Sequence, residues 1–194
     1  MNSQEFKIDI PPQFYSDSEG KAFDHCQVCG KFLLEDGISY VIEKAYKNYK
    51  GYDFNTTLFE YAICLKCHTE VQKSMSAESL QSLQRYYMEV MAEKGNQPIV
   101  INMNDFKLED WLSKCFFTGD EVKEMEEYQT VAQFNGTKMI MNMPPMIVGE
   151  AAMERMSELL SEKTIDEMNG FKKQFFGPDP ELEELISGKK LILL

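Results

Sequence analysis

A chain of 194 residues with 43% hydrophobic content can bury a core as one domain or as two small ones. Its apolar runs, such as the final Leu191-Ile192-Leu193-Leu194, fall far short of the ~18 residues a membrane span needs. Met1-Asn2-Ser3-Gln4-Glu5 lacks the basic start and apolar stretch of a secretory signal, so a cytoplasmic location is expected, with thiols reduced and open to metal. The net charge of −12 repels phosphate, which disfavours general nucleic-acid or anionic-membrane binding.

In chain order, residues 6–23 contain Pro11-Pro12 and the polar cluster Ser16-Asp17-Ser18-Glu19-Gly20, the pattern of an extended arm with a turn. The runs Ile38-Ser39-Tyr40-Val41-Ile42 and Leu58-Phe59-Glu60-Tyr61-Ala62-Ile63 flank a tyrosine-rich connection and predict a long hairpin. A helix follows Cys67; its strongest part starts at an N-cap, Ser76, carries Leu80, Leu83, Tyr87, Val90 and Met91 on one face, and stops before Gly95. Gly95-Asn96-Gln97-Pro98 marks a boundary. Beyond it, 99–101 reads as a short strand and 105–114 as a short helix holding Trp111. Runs 128–134 and 137–143 form a second hairpin about Asn135-Gly136, the pair suited to a type I′ turn. A helix starts near Glu150 with Ala152, Met153, Met156, Leu159 and Leu160 at helical spacing. Thr164-Ile165-Asp166-Glu167 has the form of a capping box, and Asp179-Pro180-Glu181 opens a last helix with Pro at its first position.

The chemistry lies in two Cys-x-x-Cys pairs, Cys26 with Cys29 and Cys64 with Cys67. A short knuckle at each end presents two thiolates at the angle a tetrahedral ion requires, and four soft ligands without redox demand select one zinc ion. Four thiolates also fill the coordination sphere, so the ion is expected to be structural and no activated water is expected on it. Cys64-Leu65-Lys66-Cys67-His68 matches the c-type haem attachment sequence, but that reading leaves the other pair unexplained. A thioredoxin-like role fails because neither pair sits between a strand and a helix of a βαβ unit. His25 and His68 lie beside ligand cysteines and are alternative ligands; the four-cysteine set is simpler.

A knuckle with Gly30 after its second cysteine, a long hairpin, a second knuckle and then a helix resemble the treble-clef zinc fingers, over about residues 24–94. The resemblance implies a fold far more than an activity. The HNH endonucleases, one branch of that superfamily, often show Cys-x-x-Cys-His at the second knuckle but carry a catalytic histidine on the hairpin. This hairpin has no histidine, and Asp24-His25 precedes the first knuckle, so nuclease activity is not expected.

Tyr40, Tyr46, Tyr49 and Tyr52 interleave with Lys44, Lys47 and Lys50, a pattern that could stack bases and meet phosphates; packed tyrosines and snorkelling lysines explain it more simply. Cys115 reads as a small buried hydrophobe, and the 13 methionines as adaptable core. Cys115-Phe116-Phe117-Thr118-Gly119 has the outline of Cys26-Gln27-Val28-Cys29-Gly30, with a hairpin, a turn at 144–148 and a helix after it. This suggests a metal-free degenerate repeat over 110–163, with Cys115, Met143, Met146, Ile147 and Val148 in the metal's place.

The expected fold class is therefore α+β. Residues 1–97 form a treble-clef-like zinc-binding domain with an N-terminal arm, and residues 98–194 an α+β domain with the hairpin 128–143 and C-terminal helices. The expected function is that of a non-enzymatic, zinc-stabilised protein acting through a protein-interaction surface, its partner another protein or a second copy, with 191–194 docking on the C-terminal half or joining a dimer. The alternatives are a nucleic-acid-binding protein using the hairpin 40–52 and a degenerate HNH-nuclease-like protein.

Overall fold

The computed structural model describes residues 7–94, 106–141 and 143–176. The expected boundary at 95–98, strand at 99–101, helix at Pro180 and apolar tail 191–194 lie outside the described residues.

The class is α+β. One antiparallel sheet of six strands runs in the order β1 (Lys7–Asp9), β5 (Lys138–Ile140), β4 (Glu127–Asn135), β2 (Ser39–Asn48), β3 (Asn55–Cys64), with β6 (Met146–Gly149) also pairing with β4. β2 and β3 form the expected long hairpin. β2 also pairs with β4 from Ser39 opposite Asn135 to Lys47 opposite Glu127, so both halves of the chain share one sheet. Two stacked ring pairs brace that seam, Tyr40 with Phe134 at 5.3 Å and Tyr46 with Tyr128 at 5.1 Å, one on each side of the rung Glu43–Val131. A central strand buries charge only where that charge is paired. Lys44, 1% exposed, accordingly donates to the Tyr15 carbonyl and to Asp17, and lies 3.2 Å from Glu60. Fully buried Glu43 accepts from the Tyr61 hydroxyl.

The second hairpin differs from expectation. Its turn is where Asn135-Gly136 places it, and Gly136 has φ 54° with the Glu35 carbonyl 3.0 Å from where a β-carbon would stand. Among the described residues only Phe134–Met139 and Asn135–Lys138 pair across it, and β5 ends at Ile140 instead of 143. The remaining rungs of β4 go to β6, from Tyr128 opposite Gly149 to Val131 opposite Met146. Pro144-Pro145 between the two strands accounts for the change, since proline cannot donate to a ladder.

Among the described residues there are five α-helices. α1 (Leu65–Ser74) starts directly from Cys64, and α2 (Ala77–Glu93) is capped by Ser76, whose Oγ accepts from Ser79 N. α3 is one turn, Leu108–Trp111, shorter than the expected 105–114; Trp111 Nε1 donates to the Pro145 carbonyl. α4 (Glu150–Glu158) continues from β6, and α5 (Glu162–Phe176) starts earlier than its capping-box motif suggests, because Ser161 Oγ accepts from Thr164 N. The two caps touch: Ser76 Oγ and Ser161 Oγ are 3.0 Å apart, Ser76 N donates to Thr164 Oγ1, and Ser161 N donates to Ser79 Oγ. Beneath them Met75, Leu160 and Met168 form a small apolar cluster.

Among the described residues, one turn geometry occurs three times. The amide of Cys26 donates to the Lys31 carbonyl and that of Gly30 to the Cys26 carbonyl. Cys115 with Asp120 and Gly119, and Ser16 with Lys21 and Gly20, make the same two bonds at 2.8–3.0 Å. The closing residue lies at φ 67–80° in all three, a conformation only glycine takes without strain.

Candidate metal centre

The first of the cysteine turns and the junction of β3 with α1 converge. Cys26 and Cys29 lie on the turn, Cys64 is the last residue of β3, and Cys67 sits in the first turn of α1. The Gln27 amide donates to the Ala62 carbonyl at 2.9 Å, tying the turn to the strand. All four sulfurs fall within 4.8 Å of one another, and Cys29 Sγ is 3.8 Å from Cys64 Sγ. Zinc–sulfur bonds of ~2.3 Å in a tetrahedron put sulfurs about 3.8 Å apart, so the spacing suits such an ion and is far beyond a disulfide. The four cysteines are free thiols that could hold a metal ion.

The local field is graded. The Lys31 amide, ahead of the neighbouring thiols, pulls Cys29 down to about 7 despite some burial. Burial pushes Cys26 up, against the amides of Cys64, Cys29 and Val28. Burial also pushes Cys67 up, with the adjacent thiols adding to it. A bound cation removes all four protons outright, so metal and proton compete here. Cys26 and Cys64 are buried and Cys29 is exposed; the Cys64 amide donates to Cys26 Sγ at 3.3 Å, a contact that steadies a metal-bound thiolate.

Among the described residues, neither histidine joins the cluster. His25 projects to solvent with Nδ1 2.8 Å from Asp24 Oδ1 and its ring against Phe32, and His68 is carried on α1.

The second cysteine turn is built the same way without the ligands. The Phe116 amide donates to the Ile147 carbonyl as Gln27 does to Ala62, and the Gly149 amide donates to Cys115 Sγ at 3.3 Å as Cys64 does to Cys26. Counted along the sequence from these shared hydrogen bonds, Thr118, Gly149 and Ala152 correspond to Cys29, Cys64 and Cys67. The space is filled by Cys115, Met125, Ile147, Val148, Ala152 and Met153. Of the expected occupants, Met143 is instead 61% exposed and Met146 only partly buried, because both lie at or before the start of β6. Met125 was not anticipated; its Sδ lies 2.6 Å from where a β-carbon on Gly149 would be.

The third turn holds a carboxylate. Glu60 accepts from the amides of Asp17 and Ser18 and the hydroxyl of Ser16. Burial raises its carboxyl, but those donors and Lys44 outweigh it and hold the group below its ordinary value. The spacing of Gly20 after Ser16, equal to that of Gly30 after Cys26, is the sequence signal for this turn.

Of the tyrosine–lysine hairpin, Tyr40 and Lys44 are buried, and Tyr46 is stacked on Tyr128. Lys47, Tyr49, Lys50 and Tyr52 remain toward the tip, where Tyr49 stacks on Phe54 and Tyr52 is 71% exposed. No helix among the described residues is long and apolar enough to cross a membrane. No protein-family model matches the chain, and no curated protein or solved structure matches it at a significant level.

Proposed function

We propose that this chain is a cytoplasmic, zinc-stabilised protein of two treble-clef units fused through one sheet, the first holding one structural zinc and the second metal-free, which acts through protein contacts rather than catalysis. The observation that carries this reading is the convergence of Cys26, Cys29, Cys64 and Cys67, whose sulfurs all lie within 4.8 Å of one another, close enough to share one ion. Four thiolates leave a metal no open position, so the centre serves the fold. The matched hydrogen bonds at the Cys26 and Cys115 turns, and the reciprocal bonds of the Ser76 and Ser161 caps, support the two-unit reading. The burial of Tyr40 and Lys44 removes two of the residues on which nucleic-acid binding by the hairpin would depend.

Purified protein is expected to carry one zinc per chain by elemental analysis, and Cys64→Ser to lose it together with folded signal, since zinc binding energy is folding energy. A metal-free wild-type protein with the same melting curve would refute the zinc centre. In a titration against DNA and RNA at two salt concentrations, salt-sensitive binding of either would favour the nucleic-acid function instead.

A further inference from the structure

Each unit's second helix crosses to the other unit's cysteine turn. α2 lies on the metal-free turn, with Tyr86 stacked on Phe117 at 5.5 Å and Tyr87 on Phe116 at 5.9 Å. α5 lies on the metal-binding turn, where the Gln27 side-chain amide reaches the Phe175 carbonyl at 3.4 Å. The two crossings are not filled alike.

Under α5 there is a groove of about 740 Å³ whose floor includes Val28, Val71, Ser74 and Phe171. Matching the units through their shared hydrogen bonds sets Val28 against Phe117, Val71 against Met156 and Ser74 against Leu159, and sets Gly170 of α5 against Arg85 of α2. At Val28, Val71 and Ser74 the metal-binding unit has the smaller side chain, and at Gly170 the helix crossing onto it does. The rim differs in charge as well: Glu70, paired with Lys73 at 2.8 Å, and Asp166 and Glu167 of α5 stand where the other crossing has Arg155, Gln81 and Ser82. The groove is open to solvent and its volume lies within the range of ligand-sized clefts. Relative to the other crossing its floor lacks large apolar side chains, and the exposed Asp166 and Glu167 on its α5 rim favour positive charge in what binds there.

We propose that this groove is the interaction surface of the protein and that it takes a protein segment presenting an aromatic or leucine side chain next to lysine or arginine. The proposal rests on the two-unit reading above. Val28 of the metal-binding turn and the ligand residue Cys67 of α1 form one wall, so metal loading shapes the surface.

The test is selection from a phage-displayed library of random linear peptides on metal-loaded full-length protein, followed by fluorescence-anisotropy titration of the selected peptide. Peptides pairing an aromatic residue or leucine with lysine or arginine are expected to be enriched. Filling the groove with the other unit's residues, Val71→Met with Ser74→Leu, is expected to weaken the peptide by about tenfold or more at unchanged metal content and melting temperature. Should that variant unfold, Asp166→Asn with Glu167→Gln, both exposed on α5, carries the same test and is expected to weaken binding most at low salt. No enrichment, enrichment of acidic or wholly polar peptides, or unchanged affinity in the variants overturns the proposal. Binding that appears only after residues 189–194 are deleted also overturns it, because Lys189-Lys190-Leu191-Ile192-Leu193-Leu194 has the same chemistry and would then be the occupant. Metal content measured on the same samples keeps a failure of the groove distinct from a failure of the zinc centre.

Discussion

Lys44→Met tests whether the charged cluster under the N-terminal arm holds the arm to the sheet. Lys44 is 1% exposed and meets the Tyr15 carbonyl and Asp17, both at 2.7 Å, and Glu60 at 3.2 Å. Removing one partner of a buried ion pair costs about 3–5 kcal/mol. Here Asp17 is half exposed and water relieves it, while Glu60, 12% exposed, keeps its bonds to Ser16, Asp17 and Ser18. Methionine also recovers apolar packing. The expected loss is therefore lower, about 2–3 kcal/mol, or ~5–10 °C in Tm for a chain of this size. The measurement is denaturant unfolding at neutral pH of Lys44→Met, Glu60→Gln and the double variant. The double variant is expected to be more stable than additivity allows by about 1–2 kcal/mol, since the second change removes the charge the first leaves stranded. The pH sign follows from Glu60, whose carboxyl is held below its ordinary value of 4.5. Its contribution is complete above that value and is lost as pH falls through the lower folded one. Without Lys44 the folded value rises, so the gap between wild type and Lys44→Met narrows in acid. A loss below ~1 kcal/mol with additive single variants would show that the cluster contributes no more than an exposed pair.

The metal centre is expected to release its ion on acidification, because every ligand must lose a proton to bind; metal release followed by a colorimetric chelator as pH is lowered checks the sign. Thr118→Cys, Gly149→Cys and Ala152→Cys together with Met125→Ala, which clears the thioether from the new β-carbon, are expected to raise metal content from one to two equivalents per chain. One equivalent in a folded variant would refute the equivalence of the two turns. Ser76→Ala and Ser161→Ala each remove a cap worth ~1 kcal/mol; because the two hydroxyls are 3.0 Å apart, thermal melts of the double variant should depart from additivity.

What could be read along the chain was whatever a few neighbouring residues settle among themselves. Cysteines three apart can share an ion, so Cys26, Cys29, Cys64 and Cys67 named themselves as a ligand set before any fold was known. Asn135-Gly136 placed a turn because only a few residues tolerate positive φ, and Ser76 placed a helix start because its hydroxyl meets an amide three residues on. The outline of Cys115 to Gly119 hinted at a second turn of the same build for the same local reason. The pairing of strands is a different matter, since each edge has several possible partners and the choice depends on what the whole sheet buries. Thus β4 gives two rungs to its hairpin partner β5 and four to β6, and β2 joins β4 along its length. The buried Lys44 looked like a surface lysine until the arm and β3 supplied its acceptors. The crossing of α2 and α5 onto opposite cysteine turns, and the groove beneath α5, exist only in the assembled fold, where residues such as Val28, Ser74 and Gly170 first become neighbours.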